Sequence, residues 1–390
     1  MSNVISLGVD EFLASFPLEL KDKRLALLCN QASLNSVFQH TRDRIQEAMP
    51  GNLTCLFSPQ HGFFAEKQDN MIESDHGSDG SGIPVFSLYG DSRAPSRDMY
   101  DNFDVLLVDV ADVGTRVYTF MSTLAYCLET AAECNKKVIV LDRPNPVGGV
   151  EVEGNVLADD CRSFVGLYPM PMRHGFTFAE LSLFINDQLV KKADLQVVPM
   201  QGWHRAMYYP ETGLPWVYPS PNLPTYFSAL VYPGQVIWEG TNISEGRGTT
   251  LPFELFGAPF LDCDKVLNAL DPALLGGCLL RPVCFEPTSN KWAGNVCSGF
   301  QLHVTDVSTY KPYRTSLALL KAIHDCCPDF ALKDPPYEYE FERLPLDLIL
   351  GDKQIYLQMV QGVAINEIER LWQPQLDEFC QVRKKYLLYD

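Results

Sequence analysis

The chain has 390 residues, 46% of them hydrophobic and 21% charged, a globular composition with the length of about two domains. Its 31 Lys and Arg face 49 Asp and Glu, for a net charge of −18. A surface of that sign repels phosphate backbones and anionic membranes, which argues against nucleic-acid and membrane partners. The first half then alternates short apolar runs with helical patterns. Arg24–Asn30, Leu53–Ser58, Asp104–Val110 and Lys137–Asp142 are apolar on both faces, as buried parallel strands are. Val117–Asn135 and Phe178–Leu189 read as helices, the second with Thr177 and Glu180 at capping-box spacing. Together these predict an α/β layer with a parallel sheet, whose ligands sit outside the carboxyl ends of strands. Polar residues crowd three such ends: Ser58 to Gly62, Asp109 to Asp112, and Asp142 to Pro146.

Gly202 to Pro233 is rich in Pro, Gly and aromatics, and a loop of that length is usually functional or interfacial. Trp203, Trp216, Tyr218 and Trp238 are there either to stack on a sugar or to fill an interface. Beyond a soft boundary near 230 come a strand over Gly299–Val304 and helices over Thr315–Asp325, Asp347–Val360 and Ile365–Lys385. The expected domains are 1–230 and 231–390, with a cleft between them. Arg383-Lys384-Lys385, the longest basic run, reads as a solvated helix face. Met1 to Leu20 lacks the pattern of a signal peptide, and no run nears the ~18 apolar residues of a membrane helix. Twelve cysteines occur without any CxxC, so a reduced, cytoplasmic protein is expected, with Cys29, Cys55 and Cys284 as small core residues.

The common signatures GxxxxGK[ST], GxSxG, HExxH and GxGxxG are absent, which weakens phosphoryl transfer, serine-esterase chemistry and a nicotinamide oxidoreductase. His61 and His76 share a loop with Glu66, Asp69, Glu73, Asp75 and Asp79, but the spacing favours a solvated acidic loop over a metal site. The stretch from Trp238 to Thr250 packs Glu239, Asn242, Glu245 and Arg247 among glycines and hydroxyls, which suits a polyhydroxylated ligand. Asp112 is either a catalyst or a partner for Arg116 one turn on. His174, isolated before the Thr177 helix, is either a titrating or a structural histidine.

The ordered blocks LFSPQHGF, IPVFSLYG, DVGTRVYTF, LDRPNPVGG, VEGNVL, YPMPMRHG, GLPWVYPSPNLPT and EGTNISEGRGTTLPFE resemble the exo-β-N-acetylmuramidase (NamZ-like) family from about residue 7 to the C-terminus. The resemblance implies a Rossmann-like N-terminal domain, a smaller α+β C-terminal domain and an active cleft between them. It further implies a glycosidase that releases N-acetylmuramic acid (MurNAc) from non-reducing ends of peptidoglycan fragments; cell-wall recycling is the expected setting, and hydrolysis by an acid at the leaving oxygen requires no metal or organic cofactor. One position departs from the pattern: where the family has the glutamate of PEHG, this chain has Gln60, and an amide cannot act as a carboxylic acid. Glu66 or Glu245 is then the expected acid, assisted by Asp112 or His174. The blocks place Gln60, His61, Glu73, Arg116, Tyr118, Arg143, Asn145, Arg173, Asn222, Glu239, Asn242 and Arg247 as substrate-binding residues. Arg143 and Arg247 are expected on the lactyl carboxylate of a MurNAc-GlcNAc or muropeptide substrate. Gln60 also opens a rival reading, a muropeptide-binding protein that does not hydrolyse.

Overall fold

The computed structural model describes residues 4–15, 17–67, 71–73, 76–80, 82–90 and 93–390. After α1 (Gly8–Ala14), the N-terminal half runs β1 (Leu25–Cys29), α2 (Thr41–Ala48), β2 (Leu53–Ser58), β3 (Gly77–Ser78), β4 (Pro84–Ser87), α3 (Arg97–Tyr100) and β5 (Val105–Asp109). It continues through α4 (Phe120–Cys134), β6 (Lys137–Leu141), α5 (Phe178–Gln188) and β7 (Asp194–Val198). These strands form one sheet in the order β3-β4-β2-β1-β5-β6-β7, parallel except for β3. The order reverses between β1 and β5, where such sheets open a crevice at the strand ends. Every residue of β1 is buried, and its side chains alternate between two apolar cores, with Leu25, Leu27 and Cys29 in one and Ala26 and Leu28 in the other. That is why the run is apolar on both faces.

The C-terminal half comprises α6 (Tyr226–Gln235), β8 (Leu255–Ala258), α7 (Cys263–Ala269), β9 (Cys278–Phe285), β10 (Cys297–Val304), α8 (Pro312–Cys326), α9 (Pro345–Leu350), α10 (Lys353–Val360) and α11 (Ile365–Arg383). A three-stranded antiparallel sheet, β8-β10-β9, accompanies its helices. The fold is thus mixed α/β, a large and mostly parallel sheet with a small separate one.

Three sequence expectations change. The helix expected over Asp347–Val360 is two helices, α9 and α10, broken at Gly351, whose φ is +72°. A side chain at that glycine would lie 2.5 Å from the Arg116 Nη2. Arg383 is buried instead of solvated, and its Nη1 donates to the His174 carbonyl (3.3 Å). Cys284 is exposed, unlike the buried Cys29 and Cys55. No helix among the described residues is long and apolar enough to cross a membrane.

The two halves are joined by Arg116, which is fully buried. Its Nη1 donates to the carbonyls of Asn155 (3.0 Å) and Met170 (3.1 Å), and its Nη2 to those of Ile349 (2.9 Å) and Leu350 (2.8 Å). The break at Gly351 frees the last two carbonyls from helical bonding. Burial pulls the guanidinium down to about 10. The chain end returns to the large sheet: the Tyr389 hydroxyl donates to Asp142 Oδ2 (2.5 Å), and the Leu388 N–H to Glu180 Oε1 (2.8 Å).

Candidate active site

The turn after β2 presents Gln60, only 4% exposed. Thr119, the residue before α4, donates its hydroxyl to Gln60 Oε1. Gln60 Nε2 donates to the Tyr89 hydroxyl (3.0 Å) and to Glu338 Oε1 (3.1 Å). Tyr89, just beyond β4, donates its own hydroxyl to Glu338 Oε2 (2.6 Å) and accepts the Met71 N–H (2.9 Å). With both ends engaged, the Gln60 amide has one orientation.

Glu338 comes from the loop between α8 and α9. Tyr337 and Glu340 exchange both backbone hydrogen bonds (2.9 and 3.0 Å), so Glu338 and Tyr339 form a two-residue turn. Both lie at positive φ, +48° and +64°, positions that hairpin turns normally give to Asn or Gly. The cost of holding bulky residues there is typical of functional sites. The Glu338 carboxyl is 3% exposed. Burial pushes it up to about 7; Glu239 adds to the rise, while the Tyr89 and Gln60 hydrogen bonds and Arg247 oppose it.

A charged chain runs alongside. Arg247 Nη2 donates to Glu239 Oε1 (2.6 Å), and the Tyr337 hydroxyl to Glu239 Oε2 (2.7 Å). Arg247 Nε meets Glu245 Oε1 at 3.0 Å, and Lys291 Nζ meets Glu245 Oε2 at 2.8 Å. Burial works against the Glu245 charge, yet Lys291 and Arg247 together hold the carboxyl below its ordinary value. Glu239 and Glu245 therefore carry cations, whereas Glu338 is bonded by neutral donors. Gln60, Glu239, Arg247, Tyr337 and Glu338 line one pocket, with His61, Tyr118, Thr119, Ser220, Asn222 and Tyr232 completing its polar wall and Val117, Val165 and Phe253 its apolar one.

A second pocket lies at the β1–β5 reversal, lined by Ala32, Asn35, Asp112, Arg143, Tyr209 and Trp216 among others. Its arginine is already used: Arg143 pairs with Asp109 through Nε and Nη2 and donates from Nη1 to the Leu34 carbonyl (3.0 Å). Asp112 Oδ2 accepts the Gly114 N–H (2.7 Å) and stands 3.6 Å from His174 Nε2. His174 Nδ1 accepts the Phe176 N–H (3.1 Å), which puts the proton of the neutral ring on Nε2.

Of the residues proposed from the sequence, Gln60, His61, Tyr118, Asn222, Glu239 and Arg247 meet in the first pocket. Glu245 sits behind Arg247, and Asp112 with Arg143 lines the second pocket. Glu66 is exposed beside a separate depression, and Glu73 is exposed as well. Arg116 is the clasp between the halves. Asn145 donates to the Phe176 carbonyl (2.8 Å), Arg173 to the Val147 carbonyl, and Asn242 to the Asp329 carbonyl (2.8 Å). Trp238 is buried against Phe256. Asp69 and Asp75 lie outside the described residues, and among the described residues no three His, Cys, Asp or Glu converge as metal ligands. Tyr89 and Thr119 lie within the IPVFSLYG and DVGTRVYTF blocks without standing out there, and Tyr337 and Glu338 lie outside every block. The signal for the last two was the run Pro335-Pro336-Tyr337-Glu338-Tyr339-Glu340, a carboxylate between two tyrosines after a stiff Pro pair.

Comparison with known proteins decides the family. The N-terminal domain model of exo-beta-N-acetylmuramidase NamZ matches residues 25–227, and the C-terminal domain model matches residues 230–389. The chain belongs to the NamZ exo-β-N-acetylmuramidase family. A relative within it, peptidoglycan beta-N-acetylmuramidase NamZ of Bacillus subtilis (strain 168), is 40% identical over 386 residues, covering 99% of this chain and 91% of that one. Two crystal structures of DUF1343 family proteins from Bacteroides fragilis share the NamZ-type fold seen here. One aligns with a TM-score of 0.87 at 32% identity over 99% of both chains. The other has a TM-score of 0.76 at 29% identity, covering 100% of this chain and 99% of that one.

Proposed function

We propose that the protein is a glycoside hydrolase that removes MurNAc from the non-reducing ends of peptidoglycan fragments. The observation that carries this reading is convergence. Gln60, Tyr118, Asn222, Glu239 and Arg247 come from four separate blocks that resemble the NamZ family, and they line a single pocket. That pocket also holds two carboxylates in contrasting environments, Glu239 bonded to a guanidinium and Glu338 to neutral donors. Glycoside hydrolysis uses such contrast, because one group must give a proton while charge develops on the sugar ring. Arg143 and Arg247 are engaged by Asp109 and by Glu239 and Glu245. The lactyl carboxylate is therefore assigned to neutral donors of the wall, Ser220, Asn222 and Tyr118. The twelve cysteines are free thiols, which supports work in a reducing, cytoplasmic setting on soluble recycling fragments.

Incubation with MurNAc-GlcNAc tests the reading: free MurNAc should appear, while GlcNAc-MurNAc, with the other sugar at its non-reducing end, should stay intact. Gln60 favours a second reading, a muropeptide-binding protein without turnover. Saturable binding of MurNAc-GlcNAc with no released sugar would establish it.

A further inference from the structure

We propose that Glu338, carried by the C-terminal half, is the acid that protonates the leaving glycosidic oxygen, and that Gln60 and Tyr89 are its positioning residues. This rests on the reading of the chain as a glycoside hydrolase. The amide of Gln60 sits 3.1 Å from a carboxylate that lines the same pocket.

The geometry suits a proton donor in three ways. Glu338 is fixed from both sides, Oε1 by Gln60 and Oε2 by Tyr89, so its remaining lone-pair directions are set. Its backbone is held by a turn with two consecutive positive φ values, and Arg93 reinforces that turn by donating to the Glu338 carbonyl (3.2 Å) while lying 4.3 Å from the centre of the Tyr339 ring. Third, no cationic side chain among the described residues is hydrogen-bonded to its carboxylate; Arg247 gives its bonds to Glu239 and Glu245.

The titratable groups around it point the same way. Tyr89 faces it from beyond β4, Tyr232 from α6, and Tyr337 from its own loop, and burial keeps all three phenols neutral. Glu239 brings negative charge and Arg247 positive charge from the segment after α6. With a carboxyl at about 7, a large share is protonated at neutral pH, as a general acid requires. In the reaction the glycosidic C–O bond breaks with its electron pair on the leaving oxygen, which takes the Glu338 proton. Water adds to the anomeric carbon, and the proton it releases restores the carboxyl.

The test uses the full chain with two substrates, MurNAc-GlcNAc and 4-nitrophenyl β-MurNAc, whose phenolate leaves without being protonated. The wild-type protein should cleave both, with kcat/KM on the disaccharide falling above a pH of about 7. Glu338→Gln should lose about 10²–10⁴-fold on the disaccharide, less than about tenfold on the aryl glycoside, and its high-pH limb. Equal losses on both substrates, or no loss on either, overturn the assignment. If Glu338→Gln does not fold, Tyr89→Phe reads the same point. Removing a donor to the carboxylate must move the high-pH limb upward, and an unmoved limb overturns the proposal. Wild-type protein that cleaves neither substrate overturns the hydrolase reading itself, whereas a wild type that cleaves both with an unaffected Glu338→Gln sinks only the role of Glu338.

Discussion

Gln60 and Glu338 are 278 positions apart in sequence and meet through an Nε2–H···Oε1 hydrogen bond of 3.1 Å. The bond ties the end of β2 to the turn before α9 across the pocket. An amide at position 60 can donate to Glu338 and accept from Thr119 at once, and it never competes for the proton.

Gln60→Glu replaces that donor with a second carboxyl beside the first. Two carboxyls at this distance titrate as a pair, and the last proton is held more tightly than by either alone. On MurNAc-GlcNAc, the descending limb of kcat/KM should move up by about one pH unit or more from its wild-type position near 7. A pH–rate profile that superimposes on the wild type would show that the two groups do not share a proton.

Arg116 tests the join between the halves. Arg116→Met would take a donor from the carbonyls of Asn155, Met170, Ile349 and Leu350; Met170 keeps the Leu157 N–H and Leu350 the Asn155 amide, so the carbonyls of Asn155 and Ile349 are the ones orphaned. Each orphaned acceptor costs on the order of 1–3 kcal/mol before relaxation, so a loss of about 2–6 kcal/mol in urea unfolding is expected. Arg116→Lys should recover little of it, because one ammonium cannot reproduce the planar fork that spans both halves. Full recovery by lysine would mean that charge, not geometry, makes the clasp.

The large sheet was legible in the sequence because buried parallel strands leave continuous apolar runs, and β1, β2, β5 and β6 each end within one residue of expectation. β4 and β7 were not legible. β4 has only four residues, and β7, which lies at the sheet edge, has no buried residue to mark it. The site divides along the same physical line. Residues at strand ends and in the glycine-rich segment stand out locally, which is why Gln60, Glu239 and Arg247, neighbours in one pocket, are legible there. Glu338 owes its position to a long-range contact and to an unusual turn, and neither leaves a periodic trace. Arg116 and Asn145 stand out too, but spacing cannot tell an arginine that grips backbone carbonyls from one that faces a ligand.

Lys291 holds Glu245 in its ionised form, donating as well to the carbonyls of Trp238 (2.6 Å) and Ile243 (2.9 Å). Because the folded Glu245 carboxyl is depressed, its contribution to stability is full above the unfolded value of 4.5 and disappears as pH falls through the lower folded value. Lys291→Met should therefore destabilise at pH 7 by about 3 kcal/mol, the usual cost of breaking a buried pair. The gap to wild type should narrow below a pH of about 4.5, where the carboxyl no longer needs a cation. Chemical denaturation at pH 7 and at pH 4 would reveal this, and a gap independent of pH would assign the loss to the two carbonyl bonds alone.

Tyr389 offers the opposite sign. Asp142 is buried at the end of β6, and burial raises its carboxyl from 3.8 to about 7, despite hydrogen bonds from Tyr389, Ala179 and Thr177. A raised carboxyl favours the protonated folded state, so this contribution to stability is complete below a pH of about 4 and is lost progressively as pH rises toward 7. Tyr389→Phe removes a donor to the ionised form and leaves the Met200 N–H, now bonded to the phenol at 2.8 Å, without its acceptor. The Asp142 carboxyl should then rise further, and the penalty for ionising it should grow. We expect Tyr389→Phe to cost about 1 kcal/mol at pH 5 from the orphaned amide, and clearly more at pH 8 from the added strain on the carboxylate. Thermal unfolding at the two pH values measures the difference. An equal loss at both would mean that Asp142 stays ionised throughout, held by Thr177 and the amides of Arg143 and Ala179, and that the C-terminal tyrosine serves the fold only through Met200.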